Sequence, residues 1–298
     1  MAPRQNDPAP RHGEERDDAQ TGGALESWRR CRYSAEQFSR WSTEAPTTLR
    51  LSARRRVDQG GRLSIVHPEA VWKASETAII VCDMWDDHSC LNSVRGLEAM
   101  IPEMKRVGSG ARALGASIIH APSGTMDFFP GTPQRERMSA APHVAPSVPI
   151  PKWCYLDPDA EGPLPIKDEN LCDDALVRER KRFYSRQHPE IDIALGNGIS
   201  DDGQEIFNYF RTNRVNSVVL MGVHTNKCVL GRPFGIRQQV RLGHSVALAR
   251  DLTESMYGPR DEPFVSHERG TELVIEHIER DWCPSIVGDD LTRAAAHS

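Results

Sequence analysis

The chain has 298 residues and a formal net charge of −5, from 42 acidic and 37 basic side chains. This balance leaves no broad positive surface, so nucleic acid is not an expected partner. No apolar stretch reaches the roughly 20 residues that a membrane helix needs, and no apolar signal-peptide core follows the N-terminal charges. We therefore expect a soluble, cytoplasmic protein with no membrane partner.

The seven cysteines form an odd number and lack CxxC spacing. This pattern predicts neither a disulfide framework nor a ribbon-type zinc site, and it leaves at least one thiol free. Lysine is scarce, with only six side chains among the 37 basic residues. The scarcity leaves few candidates for a lysine that could assist a reactive thiol.

The first 76 residues are expected to lie outside the main domain. Residues 1–45 mix proline, glycine and charged residues around isolated aromatic residues, which is typical of a disordered arm. In residues 46–76, apolar residues alternate on both sides of Gly60 and Gly61. This alternation around a glycine turn predicts a β-hairpin appendage.

The main domain is expected over residues 77–287, followed by a tail at 288–298. Continuous apolar runs at 78–82, 116–119, 217–222 and 245–249 predict parallel strands that are buried on both faces. Apolar residues at helical spacing predict helices before Gly115, after Ser200, from Cys228 toward Gly243, and from about Thr271. Strands that alternate with helices predict an α/β fold with a doubly wound sheet.

A proline-rich segment at residues 121–170 follows the second predicted strand. Its prolines argue against long helices or central strands there. A long excursion after the carboxyl end of a strand commonly shapes a substrate cleft, so we interpret this segment as a pocket insertion. A plain surface loop is the alternative.

Two residues at strand ends are candidates for chemistry. Asp83 directly follows a buried strand, where a carboxylate has a raised pKa, a basic partner or exposure in a crevice. Cys228 stands where the chain leaves a strand and a helix is expected to begin, so backbone N–H groups and the helix dipole favour a thiolate there. The alternatives are a loop-capping aspartate and an inert buried cysteine.

A thiolate beside a carboxylate needs a nearby cation, and a cysteine nucleophile needs a base. Lys181 leads into an aromatic segment before the second predicted helix, which makes it one candidate for the cation. From position alone, a solvated run of charges is the favoured explanation of this lysine.

Three motifs resemble those of the isochorismatase-like cysteine hydrolases. Asp-Met-Trp-Asp-Asp-His at 83–88 resembles the Asp-x-Gln-Asn-Asp-Phe motif of the family. Lys-Arg-Phe-Tyr-Ser at 181–185 is similar to its lysine motif, and the segment 222–229 is similar to its Gly-x-x-Thr-x-x-Cys-Val nucleophile motif. The motifs occur in the order of the family, and the resemblance covers roughly residues 77–251.

The resemblance implies a three-layer α/β/α fold with a mainly parallel sheet and a catalytic triad of Asp83, Lys181 and Cys228. It also implies a cis peptide bond between Val223 and His224. The backbone N–H groups of His224 and Cys228 would then form an oxyanion hole. The homo-oligomers that are common in the family suggest that this chain also self-associates, with the hairpin as a candidate contact.

The implied activity is cysteine-dependent hydrolysis of a C–N bond in a small amide, ureide or carbamoyl compound, through a thioester acyl-enzyme. One alternative is hydrolysis of a vinyl ether of the isochorismate type, in which the aspartate acts as an acid. Another is a catalytically silent binding or scaffold protein. The sequence leaves the substrate undefined.

The sequence departs from the family at the predicted pocket. Trp and His stand at positions 85 and 88, where the family usually has Gln and Phe. Nicotinamidases of the family carry an Asp-x-His metal motif that is missing here, so no cofactor is expected; a metal held by His88, Cys90 and His120 is the alternative. Aromatic and imidazole side chains are the expected pocket wall: Trp85, His88, His120, Phe128, Trp153, Tyr184 and His224.

Overall fold

The computed structural model describes residues 47–167 and 183–294. Residues Pro46–Ser298 form one compact unit. The predicted arm at 1–45 and the predicted Lys181 lie outside the described residues. Within the described part of the chain, no helix is both long enough and apolar enough to cross a lipid bilayer.

An antiparallel hairpin begins the described structure, as predicted. Its turn contains Gly60 and Gly61, whose φ angles of 69° and 87° are readily adopted only by glycine. Each arm consists of two short strands that pair across the hairpin: β1 (Thr48–Ser52) with β4 (Glu69–Lys73), and β2 (Arg55–Asp58) with β3 (Leu63–Val66).

The central sheet has six strands, and every pair in it is parallel. The spatial order is β10-β9-β8-β5-β6-β7, for strands β5 (Thr77–Cys82), β6 (Ser117–Ala121), β7 (Gly198–Ile199), β8 (Ser217–Val223), β9 (Ser245–Glu254) and β10 (Ser285–Ile286). The four predicted strands are present, and β5 and β8 are buried along their whole length. The two additional strands, β7 and β10, have two residues each, too few to leave an apolar run in the sequence.

Helices cover both faces of this sheet. The chain contributes helices α1 (Leu91–Ala113), α2 (Pro133–Ser139), α3 (Gly203–Thr212), α4 (Ile236–Arg241) and α5 (His267–Asp281). Apolar residues of α1 and of the hairpin pack on one face, and apolar residues of α3, α4 and α5 pack on the other. The structure is therefore a three-layer α/β/α fold with a doubly wound parallel sheet.

The third predicted helix is wrong as a continuous element. A short π-helical turn at Thr225–Val229 contains Cys228, and α4 begins only at Ile236. Pro233 lies in the interruption, where its missing N–H group prevents a continuous helical ladder.

The prediction from the cysteine pattern needs one correction. Cys90 is disulfide-bonded, whereas the other described cysteines are free thiols: Cys82, Cys154, Cys228 and Cys283. The odd number of cysteines and their irregular spacing argue against a framework of several disulfide bridges. A single bridge depends only on which two Cβ atoms the fold brings together.

A buried ionic cluster attaches the proline-rich segment to the helices. The Glu161 carboxylate accepts two hydrogen bonds from the Arg237 guanidinium of α4, at 2.6 and 2.9 Å. It also contacts His277 of α5 at 2.8 Å and accepts a bond from the Trp282 indole at 2.9 Å. Burial alone would raise the pKa of Glu161, but these bonds lower that pKa to about 2.

Candidate active site

Asp83 lies at the carboxyl end of β5, in the centre of the sheet, with its side chain fully buried. Its φ angle of 48° is in the left-handed region, which bends the chain sharply out of the strand. The carboxylate Oδ1 accepts a hydrogen bond from the Ser123 N–H group at 2.7 Å. Burial raises the pKa of Asp83 above its usual value.

Cys228 lies in the π-helical turn that follows the neighbouring strand β8, and only 7% of the residue is exposed. Its thiol lies beside the Asp83 carboxylate, close enough for each group to shift the pKa of the other. Burial and the negative charge of Asp83 raise the pKa of Cys228, while Arg232 and the backbone of His224 act in the opposite direction. The resting Cys228 side chain is therefore a thiol that lies next to the Asp83 carboxyl group.

The turn between β8 and Cys228 has an unusual backbone. The Val223–His224 peptide bond is cis, and the preceding Gly222 has a φ angle of 112°. A Cβ atom at position 222 would lie 2.1 Å from the Cys82 carbonyl oxygen. Glycine is therefore required here for two reasons, its left-handed backbone and its close approach to β5.

Arg232 supplies a cation to this pair. Its Nε donates to Asp83 Oδ2 at 3.0 Å, and the side chain is 25% exposed. The guanidinium also stacks over the Trp153 ring at 5.5 Å. The Arg232 charge lowers the pKa of Asp83 and so opposes the effect of burial.

The sequence interpretation did not identify Arg232. The spacing signal was present, because a residue four positions after Cys228 returns to the same side of a helical turn. The sequence argument considered only lysines as the cation, whereas an arginine side chain carries the same positive charge. Lys181 itself lies outside the described residues, so its predicted role stays a prediction.

The segment after position 181 is nevertheless packed against the aspartate motif. Trp85 and Gln187 form an antiparallel bridge, and the His188 N–H group donates to the Met84 carbonyl at 2.7 Å. The Asp86 carboxylate accepts hydrogen bonds from the Ser185 N–H group at 2.8 Å and from its hydroxyl at 2.6 Å. The first and second sequence motifs are therefore joined in space.

Four of the seven predicted wall residues form one aromatic group beside this site. Trp85 and Tyr184 stack with ring centroids 4.5 Å apart. His88 stacks beside Trp85 at 6.1 Å and meets His224 edge-on at 5.1 Å. The departures from the family motif at positions 85 and 88 thus add two flat rings to a stacked aromatic group beside the site.

The buried His224 imidazole has an unusual environment. Its Nε2 atom has no hydrogen-bond partner within the described part of the chain. Burial is the main cause that lowers the pKa of His224 well below its usual value. The neighbouring charges of His88, Lys227 and His267 lower this pKa further. This ring is neutral at pH 7, with a nitrogen that is available for a hydrogen bond.

Two clefts open beside these residues. One, of about 510 Å³, borders Ser123, Gly124, Lys152 and Arg232. The other, of about 380 Å³, is lined by Asp127, Phe128, Phe183, Tyr184 and Ser185. Phe128 is 49% exposed at this second opening, where Arg186 stacks on its ring at 5.0 Å.

No family model and no curated protein matches this chain. In fold, the chain resembles isochorismatase-family hydrolases. A cysteine hydrolase from Pseudomonas syringae shares 14% identity at a TM-score of 0.45, covering 74% of this chain and 93% of that one.

Two further solved structures are similar at the same level. A putative isochorismatase from Burkholderia xenovorans shares 14% identity at a TM-score of 0.43, covering 75% of this chain and 92% of that one. A zinc complex of pyrazinamidase from Pyrococcus horikoshii shares 16% identity at a TM-score of 0.38, covering 71% and 99%. The names of the first two, a cysteine hydrolase and a putative isochorismatase, are those of the family that the three sequence motifs resemble.

The structure corrects the prediction for His120. This residue lies in β6, whose alternation directs Ile119 and Ala121 toward Cys228 and directs His120 toward α1 on the opposite face. There its ring nitrogens contact Gln187 and Asn197 at 2.8 Å each. Burial lowers the pKa of His120 to about 4, so it is a neutral core residue.

The alternative metal site at His88, Cys90 and His120 is also not assembled. Among residues 47–167 and 183–294, no group of three histidine, cysteine or acidic side chains could hold a metal ion. Cys90 is disulfide-bonded, and His120 faces the other side of the sheet.

Proposed function

We propose that the protein is a cysteine-dependent hydrolase that cleaves a C–N bond in a small amide, ureide or carbamoyl compound. The observation that carries this proposal is the contact between the Cys228 thiol and the buried Asp83 carboxylate, which Arg232 neutralises from its other side. A nucleophile, a base and a cation thus lie together at the carboxyl edge of the sheet, where α/β folds place their ligands.

In the first half of the reaction, Asp83 accepts the proton of the Cys228 thiol, and the thiolate attacks the substrate carbonyl. The backbone N–H groups of His224 and Cys228 hydrogen-bond to the resulting oxyanion. When the C–N bond breaks, the proton on Asp83 passes to the leaving nitrogen, and a thioester remains on Cys228.

In the second half, Asp83 accepts a proton from a water molecule, which attacks the thioester. The tetrahedral intermediate collapses, the C–S bond breaks, and the sulfur leaves with that proton. Arg232 stabilises the negative charge that moves between the carboxylate and the sulfur. Lys181 is proposed as a second cation, by resemblance to the family.

The aromatic group formed by Trp85, Tyr184 and His88 favours a planar substrate, because a flat π-system stacks on these rings. His224 adds a neutral hydrogen-bonding nitrogen at the same surface. These features favour amide, ureide and carbamoyl groups conjugated with a planar skeleton.

Replacing Cys228 by alanine is the direct test. In a screen of small planar amides and ureides for ammonia or amine release, Cys228→Ala is expected to lose at least about 10³-fold in rate, because the covalent route is removed. Circular dichroism should show an unchanged fold. Cys154→Ala, which removes another buried free thiol, is the matched control and should keep full activity; an active Cys228→Ala enzyme would refute the proposal.

The raised pKa of Asp83 supports a second candidate, vinyl-ether hydrolysis, because a carboxyl group with a raised pKa also serves as an acid. Cys228→Ala distinguishes the two reactions, because amide hydrolysis needs the thiol and vinyl-ether hydrolysis does not. If the second candidate is correct, Cys228→Ala should still turn over a vinyl ether, and Asp83→Asn should abolish that turnover.

A further inference from the structure

Ser123 carries a buried hydroxyl group beside Asp83. Only 4% of the residue is exposed, and its Oγ atom makes no hydrogen bond of ordinary geometry within the described part of the chain. A buried polar atom without a partner costs free energy, so nearly all such atoms in proteins are hydrogen-bonded. This hydroxyl is therefore a candidate contact for a ligand.

The backbone that carries the hydroxyl is fixed on both sides. The Ser123 N–H group donates to Asp83 Oδ1 at 2.7 Å, and the Ser123 carbonyl accepts a hydrogen bond from the Trp85 indole at 3.1 Å. The next N–H group, that of Gly124, donates to the Asp201 carboxylate at 2.6 Å. The Ser123 side chain therefore has a defined place next to the Asp83 carboxyl group.

Ser123 and Arg232 also border the cleft of about 510 Å³. Among the described residues of this cleft, these two hydrogen-bond to the Asp83 carboxylate, one to each oxygen atom. No described residue that borders the cleft belongs to the aromatic group around Trp85. The site therefore has two different sides, with stacked rings on one and a polar cleft at the carboxylate on the other.

We propose that this cleft is the leaving-group subsite, and that the Ser123 hydroxyl accepts a hydrogen bond from an N–H group of the leaving nitrogen. The inference rests on the proposed function, in which the proton on Asp83 passes to that nitrogen as the C–N bond breaks. The nitrogen must then lie beside Asp83, where the Ser123 side chain also lies. A hydroxyl group donates one hydrogen bond and accepts two, so Ser123 can bond to the carboxyl group and the nitrogen together.

This contact narrows the substrate class. The leaving nitrogen needs at least one hydrogen atom, which primary and secondary amides, ureides and carbamoyl compounds have and tertiary amides lack. A nitrogen that directs its N–H group to Ser123 can direct its lone pair to the proton on Asp83. Lys152 and Asp201 border the same cleft and suit a polar substituent on the nitrogen.

Ser123→Ala removes the hydroxyl and tests the contact. The probes share the planar acyl group that the screen for ammonia or amine release selects, as its primary amide, N-methyl amide, N,N-dimethyl amide and methyl ester. For the primary and N-methyl amides, the variant is expected to lower kcat/KM about tenfold, because one hydrogen bond is lost. For the N,N-dimethyl amide and the ester, whose leaving atoms carry no hydrogen, kcat/KM should stay within about twofold.

The ratio of amide to ester kcat/KM separates a substrate contact from a change at Asp83. Both substrates need Asp83 as the base for Cys228, so damage to the carboxylate lowers both values together. Ser123→Thr keeps the hydroxyl and should keep the wild-type ratio. Ser255→Ala is the matched control and should also keep it, because Ser255 has a buried hydroxyl without a partner in the described part of the chain but does not border the cleft.

Two results would overturn this inference alone. The first is a Ser123→Ala enzyme, folded by circular dichroism, whose amide-to-ester ratio equals that of the wild type. The second needs no variant, and is a wild-type enzyme that cleaves the N,N-dimethyl amide as fast as the N-methyl amide. A screen in which no release of ammonia or amine depends on Cys228 would instead overturn the proposed function, and this inference with it.

Discussion

Among the described residues, Arg232 is the cation that contacts Asp83. It lies one helical turn after Cys228, and its backbone N–H group donates to the Cys228 carbonyl at 3.0 Å. Its guanidinium is held between the Asp83 carboxylate and the Trp153 ring. In this position Arg232 opposes the effect of burial on the pKa values of Asp83 and Cys228, because a fixed positive charge stabilises both the carboxylate and the thiolate.

A change of Arg232 to glutamine should move the reactivity of Cys228 to higher pH. Burial raises the pKa of both Asp83 and Cys228, and the Arg232 charge lowers both; its removal therefore raises them further. The alkylation rate of Cys228 by iodoacetamide, followed across pH, reports thiolate formation.

In that experiment, the profile of Arg232→Gln should lie at higher pH than that of the wild type. Arg232→Lys keeps a charge at the position and should shift the profile less. Cys228→Ala measures the background from the other thiols. A profile that does not move in Arg232→Gln would contradict the electrostatic role of this arginine.

At the level of elements, the site depends on how closely β8 approaches β5. Gly222 is the residue at the contact, where any Cβ atom would overlap the backbone of Cys82. The same approach places the turn after β8 beside the end of β5. Asp83 and Cys228 are thus neighbours because two parallel strands end at the same edge of the sheet.

Gly222→Ala should lower the free energy of unfolding by about 3 kcal/mol or more, because a left-handed backbone and a steric overlap both oppose the new methyl group. Urea denaturation measures the change. Gly243→Ala is the matched control, with a φ angle of 84° but no atom near the added Cβ. The control should lose only about 1 to 2 kcal/mol, and equal losses for the two variants would mean that the close approach is unimportant.

At the level of the whole molecule, the Glu161 cluster connects the proline-rich segment to two helices. Glu161→Gln should lower the free energy of unfolding by about 3 kcal/mol at pH 7, because it leaves the buried Arg237 charge without its carboxylate. Asp159→Asn changes an exposed carboxylate of the same segment and should stay within about 0.5 kcal/mol of the wild type.

The pH dependence identifies the cause of that loss. The pKa of Glu161 is lowered from 4.5 to about 2 in the folded protein, so its contribution is complete above about pH 4.5 and declines as the pH falls toward 2. The difference in unfolding free energy between wild type and Glu161→Gln should therefore narrow below about pH 4.5. A difference that stays constant down to pH 3 would indicate packing rather than charge.

The amino-acid sequence by itself determined the central strands, the hairpin turn and the positions of Asp83 and Cys228. Each leaves a local signal: an apolar run buried on both faces, a pair of glycines, or a polar residue directly after a strand. The two-residue strands β7 and β10 are too short to leave such a signal, and only their neighbours in the sheet define them.

Tertiary structure decided the contacts between distant residues. Arg232 reaches Asp83 because β5 and β8 are neighbouring strands that end at the same edge of the sheet. His120 lies away from the site because the alternation of β6 directs it toward α1. Likewise, Glu161 meets Arg237 and His277 only where three separate segments converge. Short-range patterns record which face of an element is apolar, whereas pairing between polar side chains depends on the packing of whole elements.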